Sequence, residues 1–225
     1  MKSNSSRFKS GFSAITLAVV LVALAGCATS RSELRVQAPV AVQSVASDAP
    51  VVVIRTVTDE RVFEEKPRDP STPSLGFGGA ANATAEVRAR AIGRKRNGYG
   101  KAMGDVLLEP GQTVEALLLH TLKAGLQDAG FQVRDASDAD ATATVIDVRM
   151  QKFWSWFQPG FWAIKLHAQI STELSVEGGG STIQIDVNTE DSRQMATESA
   201  WLEIIQQALA EYQTRIKAEA GRLKH

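Results

Sequence analysis

Catalytic side chains are scarce in this sequence. Its 225 residues include three histidines and one cysteine, Cys27. No HExxH or GxSxG motif occurs, so the sequence offers neither a zinc-protease motif nor a nucleophile elbow. Four carboxylates could serve a hydrolase as acid and base, but a charged loop explains them more simply. They are Asp59, Glu60, Glu64 and Glu65. The sequence therefore predicts a protein that is not an enzyme and uses no metal or cofactor.

A basic, glycine-rich stretch within residues 88–104 could bind an anion. Guanidinium groups form paired hydrogen bonds with phosphate or carboxylate, and glycines let a backbone approach such groups closely. The simpler alternative is a solvated hairpin, because most runs of charge are solvent-exposed. The candidate anion contacts are Arg88, Arg90, Arg94, Lys95, Arg96 and Lys101.

Residues 153–162 contain six aromatic side chains, including three of the four tryptophans. Strand alternation predicts that the tryptophans face the core and that Phe153, Phe157 and Phe161 face the other, otherwise polar side. Residues 60–111 could cover that second side, as large aromatics are usually core; a partner, a ligand or a membrane surface could also do so. The candidate contacts are Phe153, Trp154, Trp156, Phe157, Phe161 and Trp162.

Residues 1–26 have the pattern of a signal peptide. Basic residues near the start precede an apolar run over residues 12–25, which is too short to span a bilayer. The run ends in Leu24-Ala25-Gly26-Cys27, which resembles the lipobox of bacterial lipoproteins. That resemblance implies cleavage before Cys27 and attachment of acyl chains, and two or more chains anchor a protein stably.

Ala28 follows the cysteine where a retention aspartate could stand, which favours the outer membrane over the inner one. The expected location is therefore the periplasmic side of the outer membrane. The alternative is an ordinary secretory leader cut near Ala25 or Ala28, which would leave a soluble periplasmic protein.

The rest of the chain suits one domain. The leader holds three basic residues and no acidic ones, so the remainder carries 22 basic against 25 acidic residues. This slight negative balance argues against a nucleic-acid partner. Residues 27–49 are small and polar and predict an acylated, flexible tether reaching roughly 25 Å. Residues 50–225 then form the domain, in which 60–111 is an irregular segment rich in glycine and proline.

Periodicity predicts a small, mostly antiparallel sheet with two amphipathic helices on one face, an α+β fold. Helices are expected over 113–129, followed by Gly130 as a C-terminal cap, and over 193–222, capped by Asp191 or Ser192. A buried strand is expected at 51–54 and short strands near 85–92 and 100–107.

Three longer strands with alternating polarity complete the predicted sheet. A three-residue loop around Gly160 would place Trp156 opposite Trp162. A four-residue loop over 178–181 would place Val176 opposite Ile183.

Several segments together resemble the YajG-like family of bacterial lipoproteins. They are the lipobox, VVVIRTVTDER at 51–61, IGRKRNGYGKAMGDVLLEPGQTVEALL at 92–118 and AGFQV at 129–133. The resemblance covers most of residues 50–135 and implies an outer-membrane lipoprotein of α+β fold, without catalytic residues to transfer.

The function expected from the sequence is non-enzymatic binding of an envelope component or protein partner through the aromatic hairpin and the basic loop. The alternative is a module that binds lipid or glycan, such as lipopolysaccharide, phospholipid or peptidoglycan. A periplasmic hydrolase is the least favoured reading, because no nucleophile and base stand together in a recognisable motif.

Overall fold

The computed structural model describes residues 30–97, 99, 101–134, 136–138, 143–179 and 182–223. The predicted signal peptide and Cys27 lie outside these residues. The strands are β1 (Ser32–Leu34), β2 (Val51–Asp59), β3 (Ala91–Arg96), β4 (Ala102–Leu108), β5 (Gln132–Arg134), β6 (Thr144–Gln158), β7 (Ile164–Val176) and β8 (Thr182–Arg193). The helices are α1 (Ala85–Arg90), α2 (Val114–Asp128) and α3 (Glu198–Glu219), with 3-10 turns at Ala136–Asp138 and Ala220–Leu223.

The eight strands form one open, mixed sheet. β7 pairs antiparallel with β6 over nearly its whole length and with β8 on its other side. The opposite edge of β6 is shared: β2 pairs parallel with its first half, and β3 pairs parallel with its second half at Ser155. β5 extends the β2 branch, while β4 and then β1 extend the β3 branch.

The expectation of a mainly antiparallel sheet is therefore wrong. Among the residues that the structure describes, four of the seven strand pairings are parallel: β1–β4, β2–β5, β2–β6 and β3–β6. Alternating polarity shows which face of a strand is wet, but it does not show the direction of the neighbouring strand. The long connections between β2 and β6, which contain α1 and α2, allow their parallel pairing.

Helices α2 and α3 pack together on one face of the sheet and bury the main core. Thr113 caps α2 by accepting a hydrogen bond from Ala116 N at 3.1 Å, and Gly130 ends it with φ +86°, as its position predicted. α3 starts later than expected, because β8 extends to Arg193 and the cap is Thr197. None of the helices in the described part of the chain combines the length and apolar content needed to cross a membrane.

A bulge in β6 reverses the predicted faces of the aromatic strand. Met150 pairs with Thr172 and Phe153 with Ile170, so three residues of β6 match two of β7. Beyond the bulge, Phe153 and Phe157 point into the main core, and the tryptophans point to the opposite face. The assignment of Trp154 and Trp156 to the main core is therefore wrong.

The two predicted turns are also displaced. Residues 159–163 connect β6 to β7, so Trp156 faces His167 rather than Trp162. In the next pair, Leu174 rather than Val176 lies opposite Ile183. That slip of two residues keeps the predicted faces, because side chains alternate with a period of two.

Part of the predicted tether is folded. β1 pairs parallel with β4, and Leu34 and Val36 are buried in the main core at 6% and 1% exposure. Farther along, Asp128 accepts hydrogen bonds from the backbone N–H groups of Val42 and Gln43. A segment held by the sheet and by α2 is not a free coil, so the long flexible reach predicted from composition is lost.

The irregular segment 60–111 contains α1, β3 and β4. The strand expected at 85–92 is wrong: Thr84 caps α1 there, and the strand begins only at Ala91. Residues 63–75 fold over the face of the sheet opposite α2 and α3. Leu75 packs with Ala91, Leu107 and Trp154 in a second, smaller core.

Candidate functional site

A basic cleft of about 730 Å³ lies on the sheet face opposite α2 and α3. The β3–β4 hairpin forms one wall, and the two loops around residues 65–68 and 75–79 form the other. Five basic side chains and one acidic one, Glu65, line it. The basic residues are Lys66, Arg68, Arg94, Arg96 and Lys101. The cleft therefore has a strong positive balance, although the protein as a whole does not.

Arg94 and Arg96 project from the same face of β3, since side chains two residues apart share a face. Burial lowers the pKa of both guanidinium groups, and the positive charge of Arg94 lowers the pKa of Arg96 further. Two partly desolvated cations that repel each other are stabilised when an anion binds between them.

The floor of the cleft positions Arg94. Its Nε and a terminal nitrogen lie 3.4 Å from the Met103 carbonyl and from Ser74 Oγ. Behind it, buried Asp105 accepts hydrogen bonds from Gly76 N at 2.7 Å and from Arg31 Nε at 3.1 Å. These contacts fix the glycine loop against the hairpin and hold the wall of the cleft in place.

The other predicted anion contacts do not all reach this cleft. Arg90 is buried, pairs with Glu33 and Glu86, and donates to the Leu108 carbonyl at 2.9 Å, so its role is structural. Arg88 is exposed and lines a separate cavity. Lys95 points to the opposite face of β3, where Nζ donates to the Ser30 carbonyl at 3.2 Å.

The aromatic residues predicted as one contact surface are divided among three environments. Phe153 and Phe157 belong to the main core and are 2% and 5% exposed. Trp154 is covered by residues of the segment 60–111, which is the covering that the sequence suggested for this strand. The Phe63 ring packs edge-on against the Trp154 ring, with the ring centroids 6.0 Å apart. Nε1 of Trp154 donates to the Pro70 carbonyl at 3.2 Å.

Trp156 is half-buried between two polar neighbours. His167 stacks on its ring with centroids 5.0 Å apart, and Lys152 Nζ lies 5.8 Å from the ring centroid. Burial lowers the pKa of His167, although Glu190 Oε2, 3.6 Å from Nδ1, acts in the other direction. The Nε2 atom of His167 is buried without a hydrogen-bond partner.

Phe161 and Trp162 are the members of the predicted set that face solvent. They are 89% and 85% exposed and form an edge-to-face pair at 4.8 Å in the β6–β7 connection. We call them the aromatic tip. Tyr99, in the neighbouring β3–β4 turn, is 98% exposed. The aromatic tip is the part of the hairpin available to another molecule.

Two of the four carboxylates considered for hydrolysis are engaged in structural contacts. Asp59 forms a bidentate pair with Arg61, with both nitrogen–oxygen distances at 2.8 Å, and Glu65 accepts from Ala81 N at 2.7 Å. Glu60 and Glu64 are exposed. Within the described ranges, no group of three or more potential metal ligands is present.

Sequence reasoning missed Lys66 and Arg68 as lining residues. They flank Pro67 in KPRDP, about 25 residues before the hairpin begins at Ala91, and nothing in the local pattern places that loop against β3. The signal that could have found them is the long irregular segment itself, since such loops in compact domains often carry function.

Comparison with known proteins identifies a family. The model of Lipoprotein_16, described as uncharacterized lipoprotein, matches residues 88–216, which include the β3–β4 hairpin, the aromatic tip and most of α3. Among curated protein sequences, none matches this chain significantly.

Several solved structures are distantly similar. Protein XCC0632 from Xanthomonas campestris, of the DUF330 family, is 12% identical, with 84% of this chain and 99% of that chain covered and a TM-score of 0.43. A minor lipoprotein from Acinetobacter baumannii is 16% identical over 46% of this chain and 84% of its own, with a TM-score of 0.34.

A crystal structure of an uncharacterized protein is 13% identical and covers 85% of this chain and 98% of its own, with a TM-score of 0.43. These similarities are too low to transfer a ligand or an activity. The family match covers more than half of the chain, and on that ground this protein belongs to the family of uncharacterized lipoproteins.

Proposed function

We propose that this protein is an outer-membrane lipoprotein that faces the periplasm and binds an anionic envelope component in the basic cleft. Acyl chains on Cys27 would provide the anchor, and no catalysis is involved. Membership of a lipoprotein family supports an envelope location. The narrower YajG-like assignment is part of the proposal and is supported by the resemblance over residues 92–118.

The observation that carries this proposal is the pair of partly desolvated guanidinium groups, Arg94 and Arg96, in a cleft with three further cations. Asp105 and Glu65 offset part of the charge of Arg94, and Asp69 offsets part of the charge of Arg96. An anion bound in the cleft would stabilise the two guanidinium groups further, because they are partly removed from water. Phosphates of lipopolysaccharide or phospholipid and carboxylates of peptidoglycan have the required charge.

A second candidate function is docking of an envelope protein on the aromatic tip. It is favoured by the exposure of Phe161 and Trp162, because tryptophan is enriched among the residues that contribute most to binding at the centre of protein interfaces. Hydrolysis is less favoured, since Asp59 and Glu65 are each held in a structural contact.

The anchor is tested by labelling cells with radioactive palmitate. The wild-type protein should incorporate the label and sediment with outer membranes, and the Cys27→Ser variant should not incorporate it. An unlabelled wild-type protein in the aqueous fraction would remove the anchor from the proposal.

Binding in the cleft is tested by fluorescence titration with lipopolysaccharide, phosphatidylglycerol and muropeptides in turn. Arg94→Gln/Arg96→Gln should weaken binding of the true ligand about tenfold or more, because charged hydrogen bonds are lost. The matched control, Arg215→Gln/Arg222→Gln, removes the same charge from exposed pairs in α3 and the turn after it, on the sheet face opposite the cleft, and should bind normally. Flat titrations with all three ligands would reject the binding function.

A further inference from the structure

Four strands bring distant parts of the chain to one level of the sheet. Ser32 pairs with Val106, Val106 with Gly93, and Gly93 with Ser155. From this level β3 and β6 run toward the β3–β4 turn and the aromatic tip, while β1 and β4 run away from them. The start of β1, the β3–β4 turn and the aromatic tip therefore lie at the same edge of the sheet, which we call the tip edge.

The chain enters the domain at the tip edge. Ser30 lies two residues, or roughly 7 Å, from the level of Ser32 in the direction of the β3–β4 turn. The hydrogen bond from Lys95 Nζ to the Ser30 carbonyl holds this entry point against β3. The N-terminal end of the described chain thus leaves the domain beside the turn that carries Tyr99.

Cys27 is only three residues before Ser30. Three residues span at most about 11 Å, which is their length when the chain is fully extended. An acylated Cys27 has its chains in the hydrocarbon of the bilayer, so Ser30 must remain close to the headgroups. Residues 32–36 are folded onto the sheet and cannot act as a flexible tether. The distance available between Cys27 and the folded domain is therefore less than half of the roughly 25 Å predicted for the tether.

The tip edge carries the side chains that a bilayer surface favours. Phe161, Trp162 and Tyr99 are its exposed aromatics, and aromatic rings with a polar end concentrate at membrane interfaces. The opening of the basic cleft lies at the same edge, because Arg96 ends β3 and Lys101 precedes β4.

Nearby acidic groups offset only part of this positive charge. Glu65 is held by the backbone N–H of Ala81, and Asp69 by the backbone N–H of Ser71. Lys165, opposite Gln158 at the end of β6, adds a further cation, although it is paired with Glu190.

We propose that the tip edge lies on the membrane that holds Cys27, with the aromatic tip inserted among the headgroups and the cleft bound to phospholipid phosphate. The chemistry at this edge and the length of chain available to Cys27 support this orientation independently. It deepens the proposed function by naming the surface of the anchoring bilayer as the ligand, and it rests on acylation of Cys27. A protein docked on the aromatic tip is the competing occupant.

The first test places the acylated protein in vesicles of phosphatidylethanolamine and phosphatidylglycerol with brominated acyl chains, which quench tryptophan only at close range. The expected result is quenching of wild-type fluorescence that is absent in Trp162→Phe, since the other three tryptophans are partly or fully buried in the fold. Equal quenching of the two proteins, or none in either, would overturn the orientation and leave the aromatic tip to a protein partner.

The second test separates the surface from the anchor. The mature chain with Cys27→Ser should bind phosphatidylglycerol-containing vesicles and not pure phosphatidylcholine vesicles. Arg96→Gln and Lys101→Gln should each lower the partition coefficient about fivefold, and Phe161→Ser/Trp162→Ser should lower it further. As the control, Arg215→Gln/Arg222→Gln in the same Cys27→Ser chain should leave binding to the phosphatidylglycerol-containing vesicles unchanged.

The two tests fail in different ways. If the Cys27→Ser chain ignores anionic vesicles while wild-type protein carries palmitate, the tip-edge orientation is wrong and the lipoprotein assignment stands. If palmitate is absent and the unacylated chain still binds these vesicles, the edge recognises lipid, but the anchored orientation argued from Cys27 is overturned.

Discussion

Gly125 of α2 lies directly against Ile216 of α3. A β-carbon at position 125 would be 2.8 Å from both Cβ and Cγ2 of Ile216 and 2.9 Å from the Gln213 carbonyl oxygen. These atoms belong to the backbone of α3 or stand next to it, so they cannot move without shifting the helix. The two helices approach closely because position 125 has no side chain.

Gly125→Ala should therefore destabilise the protein. Alanine improves helix propensity by about 1 kcal/mol, whereas overpacking a core costs about 1–3 kcal/mol. We expect overpacking to prevail and the free energy of unfolding in urea to fall by about 1 kcal/mol or more. Gly221→Ala is the control, since no atom lies within 4 Å of its added carbon. A Gly125→Ala protein as stable as wild type would contradict the close packing.

The contacts of Arg61 lead to a second prediction about stability. Its buried side chain pairs with Asp59 and donates to the carbonyls of Phe153 at 3.1 Å and Arg88 at 2.8 Å, so it joins β2, β6 and α1. Lysine keeps the charge but cannot reach all of these acceptors, because its three donors lie on one atom.

Arg61→Lys should lower the free energy of unfolding by about 3 kcal/mol or more, since it leaves buried carbonyls without donors. Thermal and urea unfolding followed by circular dichroism measure the change. Arg215→Lys, in an exposed pair with Glu211, should show no measurable loss. Similar stabilities of the two variants would show that the Arg61 network does not hold the segment 60–90 in place.

The tryptophans provide a third prediction, which separates core from surface. Trp154→Ala removes a 1%-exposed side chain from the second core and should cost about 3–5 kcal/mol. Trp162→Ala removes an 85%-exposed side chain and should change stability by about 0.5 kcal/mol at most. Urea unfolding of both variants makes the comparison, and a large loss for Trp162→Ala would mean that the aromatic tip is covered.

Stability should also depend on the titration of His167. Burial lowers its pKa in the folded protein below the ordinary value of 6.5, so the unfolded chain binds more protons between the two values. The contribution of His167 to the free energy of unfolding is fully present above pH 6.5 and is lost as the pH falls toward the lowered pKa. Urea unfolding at a series of pH values should therefore show declining stability below neutrality.

His167→Phe should flatten that decline while retaining the stack on Trp156. If the His167→Phe profile has the same slope as the wild-type profile, other groups cause the decline.

The elements with long, regular periodicity could be predicted from the sequence. Residues 113–129 were expected as a helix, and α2 spans Val114–Asp128 because its apolar stripe packs on the sheet as the spacing requires. The alternation expected in β8 is present, with Ile183, Ile185 and Val187 each 2% exposed. Such patterns are read locally and do not depend on distant partners.

The faces of the aromatic strand could not be predicted, because they depend on a single extra residue. A bulge between Met150 and Lys152 reverses every later side chain of β6. The sequence does carry a trace of it, since strict alternation would place Lys152 in the main core. A polar residue at an otherwise apolar position is a reason to test a shifted register.

The basic cleft could be predicted only in part. Arg94, Arg96 and Lys101 are close in sequence, and the hairpin considered for residues 88–104 brings them together. Lys66 and Arg68 reach them through packing of the segment 63–75 on the second core, which is a long-range contact. Local patterns do not specify which loop covers which strand.

β1 has a practical consequence for producing this protein. It covers the outer edge of β4, where residues 106–108 are almost completely buried. A recombinant chain that begins at Pro50 would leave those backbone groups and apolar side chains open to pairing with another molecule, the usual route to aggregation. Soluble versions should therefore retain the sequence from Ser30 onward, and shorter ones should form oligomers or inclusion bodies.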